Sequence, residues 1–200
     1  MSNLICTPNV YKDSGNSPDC LALSAEYVDK YMELGCCEDG DSTLLDQMIL
    51  TAQCLFESYT RRILMQRSFL LLTSYWCKSI QVKCSPLQSV ESITYLDEDG
   101  ASQTVDSSLY YIVAGDEYSD IYFTDDFTFP SLYDRPHSIT VTFTAGYFSC
   151  EDPSVVSADI QIGLMEVVTY LNENRGCSCG SEVLSAQSKA TFNKYKIYGI

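Results

Sequence analysis

The spacing of apolar residues changes twice along the chain, and this change constrains the fold more than any other feature. Leu45, Met48 and Ala52 recur at three- and four-residue intervals, as residues on one helix face do. Over residues 66–148, apolar residues alternate or form β-branched and aromatic runs between turns. A helical spacing returns after Pro153. The sequence therefore predicts an α+β fold, with a helical body of about three helices and an antiparallel β-rich insertion.

Capping residues set the expected helix boundaries. Ser24 is a suitable N-cap and Gly35 a suitable C-cap for a first helix. Asp41 or Ser42 can cap a second helix, and Pro153 stands where a third begins. The three helices are predicted over about residues 24–34, 42–62 and 154–175, and their apolar stripes are expected to pack together.

The β-rich block and the two chain ends complete the expected organisation. A hairpin turn is predicted at residues 97–100, and alternation over residues 139–143 predicts a strand with one buried face. Residues 1–20 and 176–200 lack such periodicity and are predicted to be N- and C-terminal arms. One domain over residues 21–175 is expected between these arms.

The charge of the chain disfavours binding to nucleic acid or to an anionic membrane. The 27 acidic residues outnumber the 12 basic residues and give a formal net charge of −15. Such a surface repels phosphate groups, although it suits the wall of a passage to which DNA should not adhere. No apolar run approaches the roughly 18 residues that a membrane span requires, so no membrane partner is expected.

Ten cysteines suggest disulfides or a metal, but their context favours neither. The N-terminal sequence has no secretory signal pattern, so a reducing cytoplasm and mostly free thiols are expected. Cys54, Cys77 and Cys84 are therefore interpreted as small core hydrophobes. The only close cysteine pairs, at residues 36–37 and 177–179, do not form a zinc pattern. No metal and no cofactor are predicted.

Motifs for catalysis are absent from the sequence. The one histidine, His137, has no catalytic signature beside it and is expected at the surface. The sequence contains no phosphate-binding loop and no complete calcium loop. The acidic residues of the run over 116–126 are interpreted as solvated rather than metal-binding. The chain is therefore predicted not to be an enzyme.

The C-terminal arm is the best candidate for contact with a partner. It is aromatic and basic although the protein is acidic, and it is too short to form a core of its own. Truncation after Gly176 is accordingly expected to leave folding intact. The alternative is that a terminal strand packs on its own domain. The predicted partner-binding residues are Phe192, Lys194, Tyr195, Lys196, Ile197, Tyr198 and Ile200.

Several short motifs occur in an order that resembles a known family. An Asp-x-x-Leu-Leu segment at residues 41–45 opens the second helix, and Glu-x-x-Thr-x-Arg at 57–62 ends it. A Pro-x-x-Ser-Val strand begins at residue 86, an Asp-Gly turn lies at 99–100, and Ala-Gly-Tyr stands at 145–147. Together these motifs resemble those of the head-tail connector proteins of tailed bacteriophages, also called adaptor or head completion proteins.

The resemblance covers about residues 21–175 and implies a structural virion protein. Members form a homo-oligomeric ring, usually of twelve copies, between the portal protein and a downstream tail or neck protein, and they extend the DNA channel. Assembly in the bacterial cytoplasm and a final place at the head-tail junction would follow. The cysteine content and the long segment after Gly176 depart from the family's pattern. A cytoplasmic cysteine-rich module that binds a metal or ligand is the alternative from another class.

Overall fold

The chain folds into a unit of strands and a unit of helices, in agreement with the predicted α+β class. The computed structural model describes residues 5–6, 10–13, 20–33, 42–149, 156–174 and 183–198. The strand unit comprises residues 1–17 and 66–146, and the helical unit comprises residues 18–65 and 147–200.

In the part of the chain that the structure describes, the strand unit contains two sheets. Its strands are β1 (Ile5–Cys6), β2 (Val10–Asp13), β3 (Arg67–Thr73), β4 (Ser79–Val82), β5 (Leu87–Leu96), β6 (Ser102–Thr104), β7 (Tyr110–Val113), β8 (Ser119–Phe123) and β9 (Ile139–Ala145). One sheet has the order β2-β3-β9-β5-β6, and the other has the order β1-β4-β8-β7. Neighbouring strands are antiparallel except for β1 and β4.

Two strand predictions are confirmed. Buried and half-buried residues alternate along β9, and the ring of Phe143 on β9 stacks on Phe69 of β3 with centroids 5.7 Å apart. The predicted hairpin joins β5 to β6, and Gly100 supplies the positive φ of 79° that its turn requires. Pairing along the whole of β9 makes it the central strand of its sheet.

Part of the expected N-terminal arm belongs to the sheets. Strand β1 pairs with β4, and β2 pairs with β3 over residues 10–13. These residues add an edge strand to each sheet because β3 and β4 otherwise present unpaired backbone groups. Segments of two and four residues are too short to show a periodicity from which the pairing could be predicted.

The helical unit contains α1 (Ala25–Met32), α2 (Thr43–Thr60), α3 (Ala158–Glu173) and α4 (Ala186–Phe192). The predicted N-cap of α1 is confirmed, because Ser24 Oγ accepts a hydrogen bond from the Tyr27 N–H. Helix α1 ends at Glu33, which adopts the left-handed conformation at φ 53°. The predicted cap Gly35 and the residue Pro153 lie outside the described residues.

The apolar stripes of α2 and α3 pack together as predicted. Phe56, Ile49, Leu164 and Val168 are fully buried in one core of this unit. Burial of such side chains contributes about 1.5–3 kcal/mol each, so the paired stripes are a main source of this unit's stability. No helix among the described residues has the length and apolar character needed to cross a membrane.

The structure corrects the interpretation of the cysteines. Cys54 was expected in the core but is exposed, because it lies on the face of α2 opposite the buried Phe56 stripe. Cys77 is buried, as expected, but it is disulfide-bonded and so is not a free thiol. Cys20 is also disulfide-bonded, and Cys84 is half-buried. The cysteine pairs at residues 36–37 and 177–179 lie outside the described residues.

Candidate interaction surfaces

The C-terminal segment, defined as residues 183–198, packs on its own helical unit instead of extending away from it. Phe192 is fully buried, and its ring meets Phe56 of α2 edge to face at 5.0 Å. The Ile197 N–H donates to the Thr60 carbonyl at 2.9 Å, and the Ile197 side chain is buried as well. The alternative of a terminal segment packed on its own domain therefore holds for these residues, although the segment contains the helix α4 and no strand.

A glycine on α3 makes room for the C-terminal segment. A Cβ atom at Gly163 would lie only 2.5 Å from Cε1 of Phe192. Glycine lowers helix stability by about 1 kcal/mol relative to alanine, so its presence inside α3 has a packing reason. The missing side chain creates the space that the Phe192 ring occupies.

Polar contacts fasten the same segment to the start of α3. The Tyr195 hydroxyl donates to the Asp159 carboxylate at 3.0 Å, and Lys194 Nζ lies 3.6 Å from that carboxylate. Burial raises the pKa of Asp159, but hydrogen bonds from Ser157, Tyr195 and the Ile160 N–H and the charge of Lys194 lower it below its ordinary value. Burial raises the pKa of Tyr195, and the Asp159 carboxylate adds to this effect. The carboxylate is therefore ionised and the phenol neutral at neutral pH.

The end of α2 also holds the segment. The Arg62 guanidinium donates to the Tyr195 carbonyl, and the Tyr59 hydroxyl donates to Asn193 Oδ1 at 2.8 Å. Lys196 Nζ lies 4.2 Å from the centroid of the Tyr59 ring, a distance that suits a cation–π contact. Tyr59 in the last turn of α2 and Arg62 just after this helix thus both bind the C-terminal segment.

The outer side of these contacts is a basic patch, defined as Arg61, Arg62, Lys194, Lys196 and Tyr198. It contains four of the 12 basic residues of a chain with net charge −15. Tyr198 is 68% exposed, and the Lys194 side chain is 65% exposed. Arg61 is exposed as well, while Arg62 and Lys196 are half-buried. The packed segment therefore positions these side chains at the surface.

The predicted partner-binding residues divide into four groups. Phe192 and Ile197 are core residues, so the prediction that they leave the subunit is wrong. The physical reason is that Gly163 and Phe56 of α2 form an apolar site for Phe192, and the Thr60 carbonyl binds the Ile197 N–H. Tyr195 is half-buried, while Lys194, Lys196 and Tyr198 remain candidates for contact. Ile200 lies outside the described residues.

A second surface, the β7 edge, was not predicted from the sequence. Among the described residues, strand β7 is the last strand of its sheet, and Tyr111, Ile112 and Val113 are exposed by 53%, 38% and 46%. An edge strand directs half of its backbone N–H and C=O groups away from the sheet. The Tyr-Tyr-Ile-Val run is apolar like a buried strand, so the sequence alone carries no signal that it lies at an edge.

The residue types that bind metals do not cluster in the described part of the chain. No group of three or more His, Cys, Asp or Glu residues lies close enough there to hold a metal ion. His137 is half-buried before β9, and its backbone N–H, not its imidazole, donates to Ser74 Oγ at 3.0 Å. The carboxylates of Asp106 and Asp97 stabilise their own turns, because each accepts hydrogen bonds from nearby backbone N–H groups.

Comparison with known proteins identifies the fold. The sequence matches no protein-family model and no curated protein at a significant level. A chain in the neck of an empty gene transfer agent particle, computed with C6 symmetry, has a TM-score of 0.74 and 17% identity. A chain in the neck of the native particle, computed with C12 symmetry, has a TM-score of 0.69 and 15% identity. The protein has the fold of these neck chains.

The likeness extends over almost the whole of both chains. It covers 96% of this chain and 97% of each of the two neck chains. A chain in the virion of the native gene transfer agent particle matches with the same coverage, a TM-score of 0.73 and 17% identity. The likeness in fold therefore involves most of the strand unit and most of the helical unit. At the level of fold, this supports the resemblance to connector proteins drawn from the sequence.

Proposed function

We propose that this protein is a structural, non-enzymatic virion protein that forms a homo-oligomeric ring, with twelve copies as the expected number, at the head-tail junction. The observation that carries the proposal is the match over 96% of the chain to neck chains of particles computed with C12 and C6 symmetry. The order of connector-like motifs over residues 21–175 supports it independently, because those motifs are a property of the sequence alone.

The ring acts as an adaptor between the portal protein and a downstream tail or neck protein. In this role it extends the DNA channel without sequence-specific binding. The acidic charge suits such a channel, because a negative wall repels DNA phosphates and lets the duplex pass. Assembly takes place in the bacterial cytoplasm before the ring reaches the virion.

The exposed part of the C-terminal segment binds the portal or a neighbouring subunit. Lys194, Lys196 and Tyr198 are the proposed contact residues, because Asp159 and Tyr59 hold the two lysines in place at the surface. Such positioning lowers the entropy lost on binding. Phe192 and Ile197 are buried in the same segment and fix it to the helical unit.

Electron microscopy of the purified chain, alone and mixed with its portal protein, tests the proposal. We expect rings with a central channel, at least in the presence of portal, and we expect antibodies against the chain to label the head-tail junction of particles. A chain that remains monomeric with portal and is missing from purified particles would contradict the adaptor function.

A further inference from the structure

We propose that copies of this chain associate head to tail, with the basic patch of one copy bound to the β7 edge of the next. The inference rests on the proposed function, because it specifies how subunits of the ring meet. In this proposal the basic patch binds a neighbouring copy, and the portal protein is the alternative partner.

Positive charge predominates in the basic patch. Asp159 lies near Lys194, with 3.6 Å between the carboxylate and the ammonium. Lys196 lies over the ring of Tyr59, and this contact positions the ammonium group without neutralising its charge. Arg61 is exposed at the end of α2. The patch therefore suits an acidic partner that also offers aromatic or apolar area to Tyr198.

The β7 edge has the complementary chemistry. Its exposed apolar residues Tyr111 and Val113 stand beside two carboxylates, since Asp120 is the cross-strand partner of Val113 and Glu117 is exposed in the β7–β8 turn. The hairpin over residues 110–123 contains no basic residue. Edge strands of monomers are usually protected by lysine, proline or a covering segment, and β7 contains neither of those residues.

In a head-to-tail contact, the patch of one copy binds the edge of the next and leaves one patch and one edge open, so the contact is heterologous. A heterologous contact repeats from copy to copy, and it produces a closed ring when the rotation between copies closes. A contact between two copies of the same surface would instead bring two basic patches, or two acidic edges, against each other. Local repulsion between like charges disfavours such a contact, whereas the patch and the edge attract each other.

Charge reversal on each surface tests the contact. Arg61→Glu/Lys196→Glu reverses the patch, and Glu117→Lys/Asp120→Lys reverses the edge. We expect each pair to raise the concentration at which half of the chain is assembled by about tenfold or more, and the four changes together to restore assembly. Analytical ultracentrifugation over a range of concentrations measures this, with circular dichroism to confirm folding.

Matched controls reverse charges elsewhere. Lys30→Glu/Lys78→Glu changes two exposed cations outside the patch, and Glu98→Lys/Asp99→Lys changes two exposed acids outside the edge. Both are expected to assemble as the unaltered chain does. If a surface variant does not fold, the milder pairs Arg61→Gln/Lys196→Gln and Glu117→Gln/Asp120→Asn replace it.

Three outcomes would overturn the contact: reversal variants that assemble normally, a combined variant that stays impaired, or an unaltered chain that is monomeric at every concentration. The adaptor function is judged separately. A patch variant that self-assembles but no longer binds portal would assign the patch to the portal, so the head-to-tail contact would fail while the adaptor function stood.

Discussion

Gly163 and Phe192 form the contact that decides where the end of the chain lies. The ring of Phe192 occupies the space that a side chain at residue 163 would fill, since its Cε1 lies 2.5 Å from where a Cβ atom at that residue would stand. In a closely packed core, even one added methyl group forces its neighbours to move and lowers the stability of the fold. The size of the side chain that residue 163 can carry therefore depends on the ring of Phe192, although the two residues are distant in sequence.

Gly163→Ala is expected to lower the free energy of unfolding by about 1–2 kcal/mol, because the methyl group collides with the Phe192 ring. In a Phe192→Ala background the same change should become stabilising by up to about 1 kcal/mol, since the helix propensity of alanine then acts alone. Urea unfolding of the four variants in this cycle measures the effect. Equal effects of Gly163→Ala in both backgrounds would contradict the packing.

Asp159 gives the attachment of the C-terminal segment a dependence on pH. Its pKa is lower in the folded chain than the ordinary value of 3.8, so it stabilises the fold above that value. The stabilisation is lost as the pH falls through the lowered pKa. Asp159→Asn should therefore reduce stability at pH 7 and flatten the dependence below about pH 4. Thermal unfolding from pH 2 to pH 7 measures this, and an unchanged acid limb in the variant would contradict it.

Cys54 and Cys77 should differ in reactivity. Cys54 is an exposed free thiol, while Cys77 is buried and disulfide-bonded. Iodoacetamide applied to the native protein without reductant should label the peptide of Cys54 and spare that of Cys77, as mass spectrometry can determine. Cys54→Ser serves as the control. Rapid labelling of Cys77 under these conditions would show that the disulfide is absent in solution.

At the scale of elements, α4 belongs to the core formed by α2 and α3. Phe56 of α2 meets the ring of Phe192, and Ser188 Oγ at the start of α4 donates to Glu166 of α3 at 2.9 Å. A helix of seven residues is too short to be stable alone, so these contacts are what keep it helical. The segment is a structural part of the helical unit with an exposed outer side.

Deletion of residues 183–200 is therefore expected to destabilise the helical unit, in contrast to the sequence-based prediction that truncation after Gly176 leaves folding intact. Phe192→Ala alone should cost about 3–5 kcal/mol. Tyr198→Ala is the matched control and should change stability by less than about 0.5 kcal/mol, because Tyr198 is 68% exposed. A truncated chain with an unchanged melting temperature would show that the segment does not contribute to the core.

At the scale of the whole molecule, acidic charge is spread over both units. The strand unit contains twelve acidic and five basic residues, and the helical unit contains fifteen acidic and seven basic residues. The basic patch is therefore a local exception on a molecule that is negative throughout. Local complementarity, rather than net charge, has to guide any contact between copies.

The chain is expected not to retard duplex DNA in a gel-shift assay at about 0.15 M salt, because phosphate repulsion outweighs the basic patch. A variant with Asp116→Lys, Glu117→Lys, Asp120→Lys, Asp125→Lys and Asp126→Lys serves as a positive control for the electrostatic argument. Tight, salt-sensitive DNA binding by the unaltered chain would contradict the proposal of a passive channel wall.

Local patterns in the sequence were sufficient to predict the class of fold and most of its elements. The α2 stripe, the N-cap at Ser24, the turn ending at Gly100 and the alternation in β9 were predictable, because each depends on spacing or backbone preference within a few residues. The helices α2 and α3 were found close to their expected bounds for the same reason.

Tertiary structure alone decided where the C-terminal residues and β7 lie. Phe192 and Ile197 resemble exposed anchors in the sequence, yet the space beside Gly163, a residue far away along the chain, buries Phe192. The apolar run at Tyr111 resembles an interior strand, yet the order of strands leaves it at an edge. Both outcomes depend on contacts between distant residues, and hydrophobic burial is nondirectional, so composition and local spacing do not specify which distant surface receives a side chain.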